Sequence, residues 1–206
     1  MGYSLDLSAI TLQDYLRILK AQTLLPGRRM LHEQVDERFL LLAQSGVMTV
    51  SQLHSLLGSP QKFAALSEKT NIPEEYLTLL RRELGSLVQK PVSLSDFPGC
   101  DEARFSALAA SGIRNSKEYW EAISDPAGEL YALCDLVRIN GVGTVAARAF
   151  YEAGYRSVSA VAEASAPELL SRVSAVNAEK GYYKAKLGEK DMQFCIDYAQ
   201  LLIRFG

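Results

Sequence analysis

The sequence predicts an all-α fold, and three observations carry that prediction. Apolar residues recur at helical period through the long segments, and no Asn-Gly or Asp-Gly hairpin turn separates alternating β-branched runs. The third observation is one succession of turn signals in three segments: RFLLLAQSGVMTVSQLHSLLGSPQKFAAL, RFSALAASGIRNSKEYWEAISDPAGELYAL and ARAFYEAGYRSVSAVAEASAPELLSRV. Each segment runs from a helical pattern to a glycine, then through an apolar residue and one more, polar in the second and third segments, to a helix-capping residue. Each then reaches a proline suited to the first turn of a further helix.

The elements follow in chain order. Periodicity alone sets a helix at 12–21. In the first segment a helix over 36–45 stops at Gly46, Thr49 caps 50–57 with Leu53 facing inward, and Ser59 with Pro60 opens 60–68. A long amphipathic helix over 73–88 leads into the polar, proline-bearing stretch QKPVSL at 89–94, which reads as a linker between an N-terminal domain, 1–90, and a C-terminal domain, 91–206. In the second segment 101–111 stops at Gly112, Asn115 caps 116–123 with Tyr119 inside, and Asp125 with Pro126 opens 126–137. Gly141 and Gly143 then force a turn before an alanine-rich helix over 144–153. Gly154 closes that helix, Ser157 caps 158–164 with Val161 inside, Ala166 and Pro167 open 167–176, and a last helix covers 189–204.

Composition narrows the function classes. A chain of 206 residues with 48% hydrophobic content can bury one good core or two small ones. The 22 basic residues against 24 acidic ones leave a net charge of −2, which argues against coating nucleic acid by bulk charge but permits a local basic patch. Cys100, Cys134 and Cys195 lie far apart, and no close Cys or His pairs have metal-ligand spacing, so neither a disulfide framework nor a zinc site is indicated and no cofactor is expected. With no signal-type start and no apolar run near the roughly 20 residues of a membrane span, the expectation is a cytoplasmic protein without a membrane partner. His32 and His54 have no nucleophile at a recognisable spacing, and neither a Walker loop nor a nucleophile elbow is present, so the expectation is a non-enzymatic protein.

The third segment carries a resemblance. Leu136, Ile139, Gly141, Val142, Gly143, Ala147 and Phe150 resemble the helix-hairpin-helix motif: apolar anchors on the incoming helix, Gly-apolar-Gly in the hairpin, and a small then an apolar residue on the outgoing helix. The second copy aligns 42 positions earlier, with Asp101 in place of the second glycine and Phe105 in place of the alanine. The first is more degenerate, with Glu33 and Val35 at the glycine positions. The expected architecture is therefore three tandem helix-hairpin-helix-like repeats, the third best preserved. IPEEYLTLLRREL leading into KPVSLSDFPG, then LVRINGVGTVAARAFYEAGYRSV and MQFCIDYAQLL, are similar to the domain of unknown function 4332 family, a bacterial and archaeal group with such repeats. That resemblance implies a helical repeat fold with a tendency toward sequence-independent DNA binding, and it names no reaction.

The chemistry expected of the third hairpin is anion binding. The apolar Val142 packs inward while Gly141 and Gly143 let backbone N–H groups face one way, at the positive end of the helix starting near Thr144. Asn140, Gly141, Val142, Gly143 and Thr144 are thus the candidate phosphate cradle, with Arg148 one turn on as a side-chain contact. Close helix packing alone also accounts for the glycines and for the small cluster Ala146, Ala147 and Ala149, and both readings stand at this point. A second candidate region is EKGYYKAKLGEK, where Lys184 and Lys186 neighbour Tyr182 and Tyr183. Glu179 and Glu189 dilute that charge, and a solvated loop with its tyrosines tucked inward is the plainer reading. The leading expectation is weak, sequence-independent binding of DNA or RNA; the alternative is a protein-interaction adaptor whose repeats have lost the phosphate. Trp120 with Tyr119 reads as a core anchor of the second repeat, or else as an aromatic docking pair on its rim.

Overall fold

The computed structural model describes residues 2–24, 26–99, 102–123 and 128–206. The expectations placed on Cys100 and Asp101 in the second hairpin, and on Asp125 and Pro126 as a helix start, lie outside the described residues. The fold is all-α. Its helices are α1 (Leu12–Ala21), α2 (Val35–Gln44), α3 (Val50–Gly58), α4 (Pro60–Thr70), α5 (Glu74–Gly85), α6 (Glu102–Ala110), α7 (Ser116–Ala122), α8 (Glu129–Leu136), α9 (Thr144–Glu152), α10 (Val158–Ala162), α11 (Ala166–Lys180) and α12 (Glu189–Phe205). Short 3-10 turns cover Pro26–His32 and Leu94–Asp96. Among the described residues strand pairing is confined to isolated bridges at Thr11–Thr49 and Ser93–Asn115.

Two compact units make up the chain. One joins Met1–Leu5 to Gln89–Arg204 and Gly206, and the other comprises Asp6–Val88 and Phe205. Phe39, Leu42, Leu53, Leu57, Leu77 and Leu80 are fully buried in the second of these. Leu133, Leu136, Ile139, Val161, Leu169, Val173 and Leu202 are fully buried in the first. Each such side chain contributes about 2 kcal/mol by leaving water, so each unit has a core of its own.

The same joint recurs in all three segments that share the turn signals. Gly46, Gly112 and Gly154 hold φ of 98°, 86° and 95°. This left-handed conformation is cheap for glycine and lets the following N–H reach back over the helix end. Val47 N accordingly donates to Leu42 O at 3.2 Å, Ile113 N to Leu108 O at 2.9 Å and Tyr155 N to Phe150 O at 2.9 Å. Thr49, Asn115 and Ser157 cap the next helices through their side chains. Gln52 and Glu118 complete capping boxes at the first two.

The joints differ in what braces them. Val50 N donates to Ile10 O and Leu12 N to Met48 O, and in the same way Ser116 N donates to Val92 O and Leu94 N to Arg114 O. At the third joint the neighbouring segment is α8, whose carbonyls are spent within the helix. The carboxylate of Asp135 replaces them and accepts from Val158 N at 2.7 Å.

Candidate nucleic-acid interface at the third hairpin

Helix α8 ends at Leu136 because the chain tightens into turns: Ile139 N donates to Leu136 O, and Val142 N donates to Ile139 O at 3.0 Å. Gly141 takes φ of +87°. Val142 is 1% exposed and pins the hairpin to the core. Gly143 is the residue preceding α9, at φ −80° and ψ 178°, and Ala147 N closes the first α9 turn on its carbonyl at 2.8 Å. The left-handed position of the hairpin is therefore Gly141, while Gly143 is extended and open: a Cβ built there meets nothing within 4 Å.

Gly143 brings no side chain to cap the start of α9, and the first turn of that helix carries no acid. The N–H groups there keep the partial positive charge of a helix N-terminus. Thr144 is half-buried beside them. Phe194 of α12 lies across the glycine, with its Cε1 3.4 Å from where a Gly141 Cβ would stand, and its ring is 41% exposed. Nothing in the sequence pattern pairs position 194 with position 141.

Arg148 does not sit where the sequence suggested. Its side chain is 7% exposed and turned into the protein. Nε and Nη2 donate to Pro98 O at 3.1 and 2.8 Å, and Nη1 pairs with Glu129 Oε1 at 2.8 Å. The guanidinium thus ties α9 to the second hairpin next to Gly99, itself at φ +74°, and its donors are committed there rather than to a phosphate at residues 140–144. A long side chain one turn into a helix can follow either wall of that helix, and a buried carbonyl with a nearby carboxylate draws it inward.

Lys184 and Lys186 are exposed on the loop between α11 and α12. That loop is pinned by its tyrosines. Asn177 Nδ2 donates to Tyr183 O while Tyr183 N donates to Asn177 Oδ1 at 2.9 Å, and Tyr182 OH donates to Glu152 Oε1 at 2.6 Å. The hydrogen bond to Glu152 holds the Tyr182 hydroxyl above its ordinary pKa. Lys180 pairs with Glu179 instead. The two lysines belong to this loop, which reaches the C-terminal turn of α9, whereas the cradle lies at the other end of that helix.

Asp135 and Arg138, which no sequence motif singles out, form the polar centre of this unit. Asp135 Oδ1 accepts from Trp120 Nε1 at 3.0 Å and from Arg138 Nη1, and its other oxygen holds Val158 N. Arg138, 2% exposed, donates through Nε to Tyr3 O and through Nη2 to Gly2 O, both at 2.9 Å, and its guanidinium lies 4.5 Å from the Trp120 ring centre. Trp120 is thus fixed within the network rather than standing as a rim anchor. Arg138 immediately precedes the hairpin, so the network also fixes the angle at which residues 139–144 leave α8.

Burial pushes the Cys195 thiol up to about 12, out of the range of a reactive thiolate. No group of His, Cys, Asp and Glu among the described residues could hold a metal ion, and no helix there is long and apolar enough to cross a membrane. Known proteins offer one point of comparison: a family model described as Domain of unknown function (DUF7898) matches residues 131–204, a stretch running from α8 through the third hairpin to α12. No curated protein and no solved structure matches the chain.

Proposed function

We propose that the protein is a non-catalytic, helix-hairpin-helix-like repeat protein that binds the phosphate backbone of DNA or RNA, without sequence preference, at the third hairpin. The observation that carries this reading is the acid-free start of α9, where Gly143 brings no capping side chain. Backbone N–H groups at residues 143 and 144 supply the anion contacts, and Asn140 and Val142 shape the turn. Lys184 and Lys186 add a separate, solvent-screened attraction. Arg148 enters as a positioning residue that holds α9 and the second hairpin together. One cradle with two lysines neutralises few phosphates, so log K against log salt should fall with a slope of about −2 to −3. Fluorescence anisotropy of labelled single- and double-stranded oligonucleotides across a salt series tests this. A much steeper slope, or a strong preference for one base sequence, would overturn it.

The commitment of Arg148 to Pro98 and Glu129 favours a second reading, a protein-interaction adaptor that keeps the hairpin geometry without the phosphate. In that case no oligonucleotide binds at any salt concentration.

A further inference from the structure

Residues 2–5 are built into a unit from which the chain then departs. Met1–Leu5 packs with Gln89–Arg204, while the chain from Asp6 to Val88 forms the other unit. Tyr3 is 2% exposed, and its hydroxyl bonds Ser116 Oγ at 2.6 Å, the same oxygen that accepts from Val92 N at 3.0 Å. The Tyr3 ring meets Trp120 edge-on with centres 5.9 Å apart, and burial pushes its hydroxyl up to about 12. Arg138 reads the backbone of the segment by taking the consecutive carbonyls of Gly2 and Tyr3.

This is the recognition chemistry of a peptide site. One arginine fork takes two backbone carbonyls, one hydroxyl takes a tyrosine, and a T-shaped contact with the indole sets the ring. Three features separate the segment from the socket that holds it. No helix includes residues 2–5, so its departure breaks no helical hydrogen bond. Every socket residue comes from Gln89–Arg204, so the socket stays assembled when the segment leaves. Asp135 keeps Arg138 paired through Nη1, leaving Nε and Nη2 as the donors that a new carbonyl pair must satisfy.

We infer that Ser116, Trp120 and Arg138 form a peptide-binding socket for an extended segment with a tyrosine, that residues 2–5 occupy it in cis, and that the same segment of a second copy is its ligand in trans. The cis segment competes by effective concentration, which reaches the millimolar range for a short tether and masks the site in the undisturbed chain. Exchange of an identical element between copies costs little, since the hydrogen bonds that the segment gives up in cis form again in trans.

Trp120, the chain's single tryptophan, reports the state of the socket. The test uses the full chain with Tyr3→Ala and a synthetic peptide, Gly-Tyr-Ser-Leu-Asp, carrying residues 2–6. The substitution should shift Trp120 emission, and titrated peptide should return it to the wild-type spectrum. Wild-type protein should bind the labelled peptide at least about ten-fold more weakly, because its own segment competes. A peptide with alanine in place of its tyrosine should not bind. Tyr3→Phe, which loses only the bond to Ser116 Oγ, takes the place of Tyr3→Ala if the latter does not fold, with the same expectations at reduced amplitude. A folded variant that takes up no peptide at millimolar concentration, or that binds the alanine peptide equally well, would overturn the proposal.

Discussion

The turns that lead into α2 and α9, aligned in the sequence as the first and third copies, differ in where the left-handed residue falls and in charge. Before α2 the left-handed position is held by Gln34, at φ +49°, and the first turn carries Asp36 and Glu37. Before α9 the left-handed residue is Gly141, two positions further from its helix than Gln34 is from α2, and the first turn carries no acid. The acids of α2 complement the dipole of their own helix, a gain of about 0.3–1 kcal/mol, and Asp36 pairs with Lys20 at 2.9 Å. A phosphate approaching α2 meets carboxylates, whereas one approaching α9 meets N–H groups. The two helix starts are thus distinguished by charge, and that difference is the ground for proposing the site at α9 rather than at α2.

The largest expected effect lies just ahead of α9. Arg138→Met leaves Asp135 buried without its cation and removes the two carbonyl contacts, and should cost about 3–5 kcal/mol in urea unfolding. The Arg28–Glu83 pair of the other unit is its comparison. Arg28 is 31% exposed, so Arg28→Met should cost clearly less, and equal losses would contradict the account of a buried hub. Arg148→Ala comes next, at about 2–3 kcal/mol, because the Pro98 carbonyl loses a charged donor. Hydrogen exchange should then rise around Gly99 before it rises at residues 141–144.

Smaller effects exchange the left-handed residues of the two turns. Gly141→Ala should cost about 1–2 kcal/mol, from positive φ and from the approach of the new Cβ to Phe194. Gln34→Gly should change stability in the opposite direction, a gain of about 0.5 kcal/mol after the added freedom of the unfolded chain is counted. Thermal melts of both variants check the pair, and the same sign for both would break the comparison.

Much of this was legible in the sequence because it is local. A glycine followed three residues later by Thr, Asn or Ser is a statement about φ and an N–H partner, and Gly46–Thr49, Gly112–Asn115 and Gly154–Ser157 behave as that statement requires. Helix ends differ from expectation where a later glycine provides the stop: α11 runs to Lys180 because Gly181, at φ +67°, ends it, four residues beyond the expected end at 176. The site was less legible because its partners are distant in sequence. Arg148 meets Pro98 across 50 positions, and Arg138 meets Tyr3 across 135. An arginine in a helical pattern gives no sign of which carbonyl it will find. The signal that was available, Asp135 three residues ahead of Arg138, also fits an ordinary surface pair on one helix.

Gly143→Asp probes whether the acid-free start of α9, where Gly143 offers no capping side chain, takes a phosphate. Position 143 is extended and open, so aspartate enters without strain and caps the helix, leaving stability unchanged or higher by a few tenths of a kcal/mol. Its carboxylate takes the N–H groups that a phosphate would use. Anisotropy with a labelled oligonucleotide at low salt, paired with a thermal melt, should therefore show a protein at least as stable as wild type that has lost most of its nucleic-acid affinity. Undiminished binding by the folded Gly143→Asp protein would contradict the account.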